Sequence, residues 1–221
     1  MSASRAETVT SSARAEKLEQ LARLCRNGRE GPPPRTEPTG SASLDAVLPG
    51  GGWQSGTIVE LMPMNDGIGE LRLLMPALAK ITQSERHVAM IAPPHIPFAP
   101  ALLRHGLRLE HFWIIRAQSA ADILWSAEQT LRCKSFGAVL AWPAAIHDRE
   151  VRRLQLAAEA GNSIGFVYRP PNAARESSPA AVRLRLQADA TGQLSIDIVK
   201  CRGARTGMSV NIALAQASAR A

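Results

Sequence analysis

A glycine-containing loop follows the first strongly apolar run of the chain, and its position is the one where phosphate chemistry would be expected. In a doubly wound α/β domain, the loop after the first strand is the usual ligand site. A phosphate-binding loop needs glycines whose N–H groups wrap the anion, a Lys for the β- and γ-phosphates and a Ser or Thr for Mg²⁺. Residues 62–70 (MPMNDGIGE) contain Gly67 and Gly69, but neither a Lys nor a hydroxyl residue.

Two carboxylates flank these glycines. Asp66 and Glu70 stand at the start of the next predicted helix, where the positive end of the helix dipole would otherwise attract a phosphate. We interpret them as helix-capping groups and not as catalytic groups. The sequence therefore predicts a degenerate nucleotide loop, with no nucleotide bound, at Asp66, Gly67, Gly69 and Glu70.

Other catalytic and metal-binding patterns are not found in the sequence. The five histidines show no HExxH or paired spacing, and the three cysteines form no CxxC cluster. No serine lies in a GxSxG context. His95, at the predicted end of a strand, is placed where ligands bind, although a Pro-rich loop commonly serves only to fix a turn. We predict that the chain is not an enzyme, with no cofactor and no metal.

The positive charge of the chain is unevenly distributed. The net charge is +7 and the pI about 10.1, a balance that favours nucleic acid or an acidic partner. Residues 1–35 carry +3, residues 36–148 carry −2 and residues 149–221 carry +6. Any basic surface therefore comes from the two ends of the chain.

Five basic residues near the carboxyl end are candidates for contact with DNA or an acidic partner. Arg183 and Arg185 share the polar face of a predicted strand by period two. Lys200, Arg202 and Arg205 lie at and after the end of the next strand. A merely solvated face is the alternative, and both remain open.

An amphipathic helix is predicted near the amino end. Within residues 13–27, Leu18, Leu21 and Leu24 lie on one stripe, and a Pro/Gly-rich linker of residues 28–38 follows. An isolated helix of this length is marginal in water, so it must dock on the body of its own chain or on a partner. The three leucines are therefore candidate partner-binding residues.

After residue 40 the pattern alternates between strands and helices. Short apolar runs predict buried strands at residues 57–62, 87–92, 111–117, 137–142 and 163–168. Helices are predicted at residues 69–82, where Pro76 should kink or delay the helix, 119–134 and 149–160. Alternating residues predict an antiparallel hairpin of residues 181–189 and 193–201, joined by a Thr191-Gly192 turn.

These elements predict a three-layer α/β domain whose mostly parallel sheet ends in an antiparallel hairpin. The predicted divisions are a helix in residues 1–27, a linker at 28–38, the domain at 39–206 and a flexible tail at 207–221. The 221 residues contain no apolar run of the roughly 18 needed to span a membrane, and no secretory signal. Few, scattered cysteines favour a reduced, cytoplasmic location.

The approach to the loop resembles that of RecA-type recombinases. Residues 39–61 (TGSASLDAVLPGGGWQSGTIVEL) carry this resemblance, and the order of the later elements extends it. In that alignment Gly69 replaces the catalytic Lys, and Glu70 replaces the Mg²⁺-binding hydroxyl. Pro94 replaces the catalytic Glu, and Trp142 replaces the metal-ligating Asp. The resemblance implies a RecA-like domain, preceded by a helix on a linker, that has lost ATP turnover.

More closely, the chain resembles the ImuA proteins of translesion DNA synthesis, which are grouped in one family with the SulA cell-division inhibitors. This resemblance spans roughly residues 39–205, and its most specific stretch is DGIGELRLLMPALA at 66–79. It implies a non-catalytic adaptor in SOS-induced, error-prone synthesis. The implied partners are an ImuB-type Y-family polymerase homologue, an error-prone replicative-type DNA polymerase, RecA and DNA.

Two other functions remain as alternatives. A SulA-like inhibitor that binds the tubulin-like division protein FtsZ would use the same core. A DNA-dependent ATPase is the other alternative, and the missing Lys of the loop is the main objection to it.

Overall fold

A computed structural model describes residues 35–189, 193–203 and 206–213 of the protein. Several sequence predictions fall outside these residues: the amino-terminal helix with Leu18, Leu21 and Leu24, most of the linker, the Thr191-Gly192 turn, and Arg205.

The described residues alternate between strands and helices. The strands are β1 (Thr36–Glu37), β2 (Trp53–Gln54), β3 (Thr57–Pro63), β4 (His87–Ile91), β5 (Phe112–Ile115), β6 (Phe136–Ala141), β7 (Ile164–Tyr168), β8 (Val182–Ala188), β9 (Leu194–Cys201) and β10 (Ser209–Ile212). The helices are α1 (Ala42–Asp45), α2 (Met75–Gln83), α3 (Ala99–Arg104), α4 (Ala120–Arg132) and α5 (Asp148–Gly161).

Eight of these strands form one mixed sheet in the order β10-β9-β8-β3-β7-β6-β4-β5. The strands from β8 to β5 run parallel to one another, while β9 is antiparallel to both β8 and β10. β1 and β2 form a separate antiparallel pair. β3 lies near the middle of the large sheet, so the loop that follows it is held by strands on both sides.

The central strands consist mostly of apolar residues because helices cover both faces of the sheet, although β3 also carries the buried Glu60. On one face, α1 and α2 pack over a core that includes the edge-to-face pair of Trp53 and Phe166, with ring centroids 5.4 Å apart. On the other face, α4 and α5 bury a second core around Leu131 and Leu154. The two cores fix the strand ends relative to one another.

The contact between α4 and α5 depends on Gly161. A Cβ atom at this position would lie 1.9 Å from the carbonyl oxygen of Leu131, so only glycine fits. Gly161 is the last residue of α5, and Asn162 after it adopts the left-handed conformation that ends the helix, with φ 51°.

The five predicted strands before residue 170 are confirmed, and so are both strands of the hairpin. Ser119 caps α4, since its hydroxyl accepts a hydrogen bond from the Asp122 N–H at 3.1 Å. Beyond the hairpin, Ser209–Ile212 form β10 within the stretch predicted as a tail. At the other end, Thr36–Glu37 form β1 within the stretch predicted as a linker.

The assignment of a RecA-like domain is wrong. It required residues 62–70 to lead directly into a helix, as a phosphate loop does. In the structure residues 64–74 form turns and bends, and α2 begins only at Met75 with Pro76 in its first turn. Proline disfavours a helical conformation in the residue before it, and it is tolerated only in the first turn of a helix. The helix α2 therefore starts late. The sheet on which it packs is mixed, because β9 at one side runs antiparallel to both β8 and β10.

Candidate functional site at the carboxyl ends of the parallel strands

A cleft of about 760 Å³ opens where the parallel strands end. This edge of the sheet brings together loops that are far apart in the sequence. The lining residues are Pro63, Met64, Asn65, Asp66, Gly67, Glu70, Pro94, His95, Trp142, Pro143, Tyr168, Arg169, Pro170 and Pro171.

The loop after β3 is closed by one of its own carboxylates. Gly67 and Gly69 both have positive φ, and the Gly67 N–H donates to Glu70 Oε1 at 3.3 Å. This N–H is therefore not free to bind an anion. Because α2 begins only at Met75, Asp66 and Glu70 do not cap a helix, and that part of the sequence interpretation is wrong.

The rim of the cleft is rich in proline. Five of its lining residues are prolines, from the ends of β3, β4, β6 and β7. Proline has no backbone N–H, so these positions cannot supply the donors that cradle a phosphate. The geometry of the rim and the carboxylates of Asp66 and Glu70 both disfavour an anion here.

The floor of the cleft is aromatic. The rings of Trp142 and Tyr168 are stacked, with centroids 4.3 Å apart and planes 10° apart. Tyr168 is 6% exposed, and its hydroxyl has no hydrogen-bond partner among the described residues. The Oε2 atom of Glu70 is likewise buried without one. Burial raises the pKa of the Tyr168 phenol, and the charge of Glu70 raises it further, so the phenol is neutral.

Beneath the floor, a buried ionic cluster is centred on Glu60. This fully buried carboxylate accepts from Arg183 Nε at 2.6 Å, from Ser178 Oγ at 2.7 Å and from Arg169 Nη1 at 3.1 Å. Arg169 also donates to Glu176 Oε2 at 2.6 Å. The cluster joins β3, β7 and β8, and it holds Arg169 at the edge of the cleft.

Arg183 and Arg185 share one face of β8 but have different surroundings. Arg183 is 3% exposed, and besides Glu60 it donates to the carbonyls of Ala173 and Glu176. Arg185 is exposed and forms an ion pair with Asp197 at 2.7 Å. The sequence placed both arginines on a wet face, which holds only for Arg185, because the segment 169–178 covers the other end of the strand.

The remaining described basic candidates, Lys200 and Arg202, lie near Arg183, since Lys200 is the cross-strand partner of Arg183. Lys200 Nζ donates to the Ser178 carbonyl at 2.5 Å, and the pKa of Lys200 is lowered by partial burial and by the charges of Arg202 and Arg183. Arg202 is exposed, and its guanidinium lies 3.5 Å from the Pro179 carbonyl. A role for these residues in binding stays a prediction.

Several large apolar side chains are exposed, and two of them, Ile96 and Phe98, closely follow the cleft residue His95 in the sequence. Ile96 is 67% exposed, Phe98 is 68% exposed and Leu103 is 55% exposed, and they lie in the loop after His95 and on α3. Trp113 on the edge strand β5 and Trp125 on α4 are also more than half exposed. Because Ile96 and Phe98 lie two residues apart beside His95, they are candidates for a surface that contacts another protein.

Sequence reasoning missed Tyr168, Glu60 and Arg169. A signal for Glu60 was present, because a carboxylate inside the apolar run TIVELM must be paired if it is buried. Its two arginine partners follow it by more than 100 residues, so no local pattern connects them.

Two features are absent from the part of the chain that the structure describes. No helix among them is long and apolar enough to cross a membrane. No group of three or more His, Cys, Asp or Glu residues in that part of the chain could hold a metal ion.

Comparisons with known proteins point to one family. The family model described as cell division inhibitor SulA matches residues 56–165, about half of the chain. The chain is similar to the SulA inhibitors. The matched segment includes β3, the loop of the cleft and both of the long helices α4 and α5.

Individual SulA proteins show the same similarity. Cell division inhibitor SulA of Photorhabdus laumondii is 28% identical over 112 residues, which cover 51% of this chain and 63% of that protein. SulA of Edwardsiella piscicida is 31% identical over 98 residues, covering 44% and 58%. The chain thus spans less than two thirds of these relatives. A crystal structure of SulA from Pseudomonas aeruginosa aligns at 25% identity and a TM-score of 0.43, over 51% of this chain and 97% of that one.

These matches overturn the identification with ImuA. The family model and the relatives are all named as SulA inhibitors of cell division, so the predicted adaptor role in translesion synthesis is wrong. The partners predicted with that role, which were the ImuB-type homologue, the error-prone polymerase, RecA and DNA, are wrong as well. The relatives are named as inhibitors and not as enzymes.

Proposed function

We propose that the protein is a SulA-type inhibitor of cell division that acts without catalysis by binding the tubulin-like division protein FtsZ. The observation that carries this proposal is the match of the SulA family model to residues 56–165. This segment contains β3, β4, β5 and β6 with the helices between and after them, so the similarity lies in the folded body of the chain. The proposal places the protein in the cytoplasm and in the response to DNA damage.

Two features of the structure support binding over catalysis. The loop after β3 lacks the Lys and hydroxyl of a phosphate loop, and its Gly67 N–H is occupied by Glu70. Ile96 and Phe98 follow His95, which lines the same cleft as this loop, and they expose apolar surface that a protein partner would cover.

The proposal is tested by producing the full chain in bacteria that lack their own division inhibitor. We expect filamentous cells, because division stops while growth continues. With purified proteins, we expect the chain to reduce the amount of FtsZ that sediments as polymer in the presence of GTP. Normal cell length at a high level of soluble protein, together with unchanged FtsZ sedimentation, would contradict the proposal.

A pair of surface variants tests the contact itself. The double substitution I96S/F98S removes the exposed apolar pair, and we expect weaker inhibition of FtsZ. Trp125→Ser is the matched control, because it removes an exposed aromatic ring from α4. Both variants should keep the circular dichroism spectrum of the wild type, since none of the three side chains is buried.

A further inference from the structure

We propose that the cleft binds a guanidinium group, presented as an arginine side chain by the protein partner. Only the identity of that partner rests on the proposed function. The recognition itself follows from the charges, the unpaired polar atoms and the aromatic floor of the cleft.

The charge of the cleft is negative. Among its lining residues, Asp66 and Glu70 are acidic and Arg169 is basic. The Arg169 guanidinium is only 7% exposed and is paired with Glu60 and Glu176, so its charge is already neutralised. The carboxylates of Asp66 and Glu70 have no ion pair with a described residue, and they remain to attract a cation.

Among the described residues, three buried polar atoms of the cleft lining lack hydrogen-bond partners. They are the hydroxyl oxygen of Tyr168, the Oε2 atom of Glu70 and the Nε atom of Arg169, whose other guanidinium nitrogens are held by the ionic cluster of Glu60. Tyr168 is more than nine-tenths buried, and Tyr168 and Glu70 both line the cleft. Buried polar atoms are normally satisfied, so a ligand rich in donors would supply partners for the two oxygen atoms of Tyr168 and Glu70. A guanidinium supplies five N–H donors in a planar fork and no acceptor.

The aromatic floor suits a planar cation. Trp142 is partly exposed, lines the cleft and is backed by the stacked ring of Tyr168. A guanidinium stacks on aromatic faces and is more weakly hydrated than an ammonium. The stacking partner and the hydrogen-bond acceptors therefore lie in one place, which favours arginine over lysine.

The same residues discriminate against an anion. The prolines of the rim have no N–H to offer, and the Gly67 N–H is already donated to Glu70. A nucleotide phosphate would meet carboxylates in place of the donors it needs.

The test follows the indole N–H of Trp142 by NMR in the ¹⁵N-labelled full chain, with the signal assigned from W142F. The probes are N-acetyl-arginine amide and its neutral isostere N-acetyl-citrulline amide. We expect saturable shifts with the arginine probe and at least about tenfold weaker binding of the citrulline probe, because a charge-assisted hydrogen bond is about twice as strong as a neutral one. Equal affinity for the two probes, no binding of the arginine probe, or binding of Mg²⁺–ATP in its place would overturn the proposal.

Variants assign the effect to the cleft. Glu70→Gln keeps the size of the side chain, and we expect about tenfold weaker binding of the arginine probe from the loss of one ionic partner. Glu110→Gln, at the opposite end of the sheet, is the matched control and should bind like the wild type. If E70Q does not fold, Asp66→Asn at an exposed position provides the same test, and unchanged affinity in the folded variant contradicts the proposal.

Failure of this proposal is distinguishable from failure of the proposed function. The probe experiment contains no FtsZ, so a positive result stands even if FtsZ does not bind. Conversely, inhibition of FtsZ by E70Q at wild-type strength would show that the cleft is not part of that contact.

Discussion

At the scale of single residues, the most constrained side chain is Glu60. It is fully buried, and its two oxygens hold two arginines that have almost no contact with water. A buried ionic cluster of this kind need not add net stability over an apolar core, because desolvation offsets much of the attraction. Removing one partner is different, since it leaves the opposite charges buried and uncompensated.

We therefore expect Glu60→Gln to destabilise the protein by about 3–5 kcal/mol, the range seen when a buried pair loses one partner. Denaturant unfolding monitored by circular dichroism measures this loss. Arg185→Gln is the control, because it breaks the exposed pair with Asp197 and should cost less than about 1 kcal/mol. Equal losses in the two variants would mean that Arg169 and Arg183 find other partners.

Asp197 gives a prediction about pH. The hydroxyl of Ser209 and the guanidinium of Arg185 hold the pKa of this carboxyl below its usual range. A carboxyl whose pKa is lowered by folding adds stability above its unfolded pKa, and that stability is lost as the pH falls through the folded pKa. We expect Asp197→Asn to be less stable than the wild type at neutral pH, with the difference shrinking as the solution is acidified. Urea unfolding at a series of pH values measures this, and a difference independent of pH would contradict it.

At the scale of secondary structure, the packing of α4 on α5 depends on one missing Cβ. Gly161→Ala would place a methyl group 1.9 Å from the Leu131 carbonyl oxygen, so the backbone of one helix must move. We expect a loss of about 1–3 kcal/mol or more in the free energy of unfolding, as for other overpacked sites. Ala160→Gly, at the exposed neighbouring position, should cost only about 1 kcal/mol through helix propensity. If the free energy of unfolding falls no further in G161A than in A160G, the two helices can move apart at little cost in free energy.

The strands were predictable from the sequence, because buried parallel strands are short apolar runs and the wet hairpin alternates. The start of α2 was not fixed by the same pattern. Residues 69–82 have helical spacing, yet Pro76 confines the helix to begin at Met75. β10 was also missed, because Ser209–Ile212 are too few to show a period and are held by pairing with β9. The local pattern of apolar residues thus predicts where strands and helices lie. Proline residues and pairing between distant strands determine their exact boundaries.

At the scale of the whole molecule, the sequence was misleading about the family. The resemblance to RecA rested on the residues before a phosphate loop, but such residues specify a strand and a turn and need not specify ATP chemistry. The cleft could not be derived either, since Trp142, Tyr168 and Glu70 come from different loops and meet only at the edge of the sheet. The excess of basic residues lies at the two ends of the chain. The residues that line the negative cleft come from the net acidic segment 36–148 and from the residues shortly after it.

The match of the SulA family model to residues 56–165 leads to a final prediction about the complete chain. If the inhibitory surface lies in the folded body, a chain that lacks residues 1–30 should still cause filamentation and reduce FtsZ sedimentation. The competing prediction assigns the contact to Leu18, Leu21 and Leu24. The triple variant L18S/L21S/L24S in the full chain separates the two, because it keeps the length and changes only the apolar stripe. Full activity in both altered chains supports a contact made by the body, whereas loss of inhibition in both, at unchanged solubility and circular dichroism, would assign the contact to the leucines.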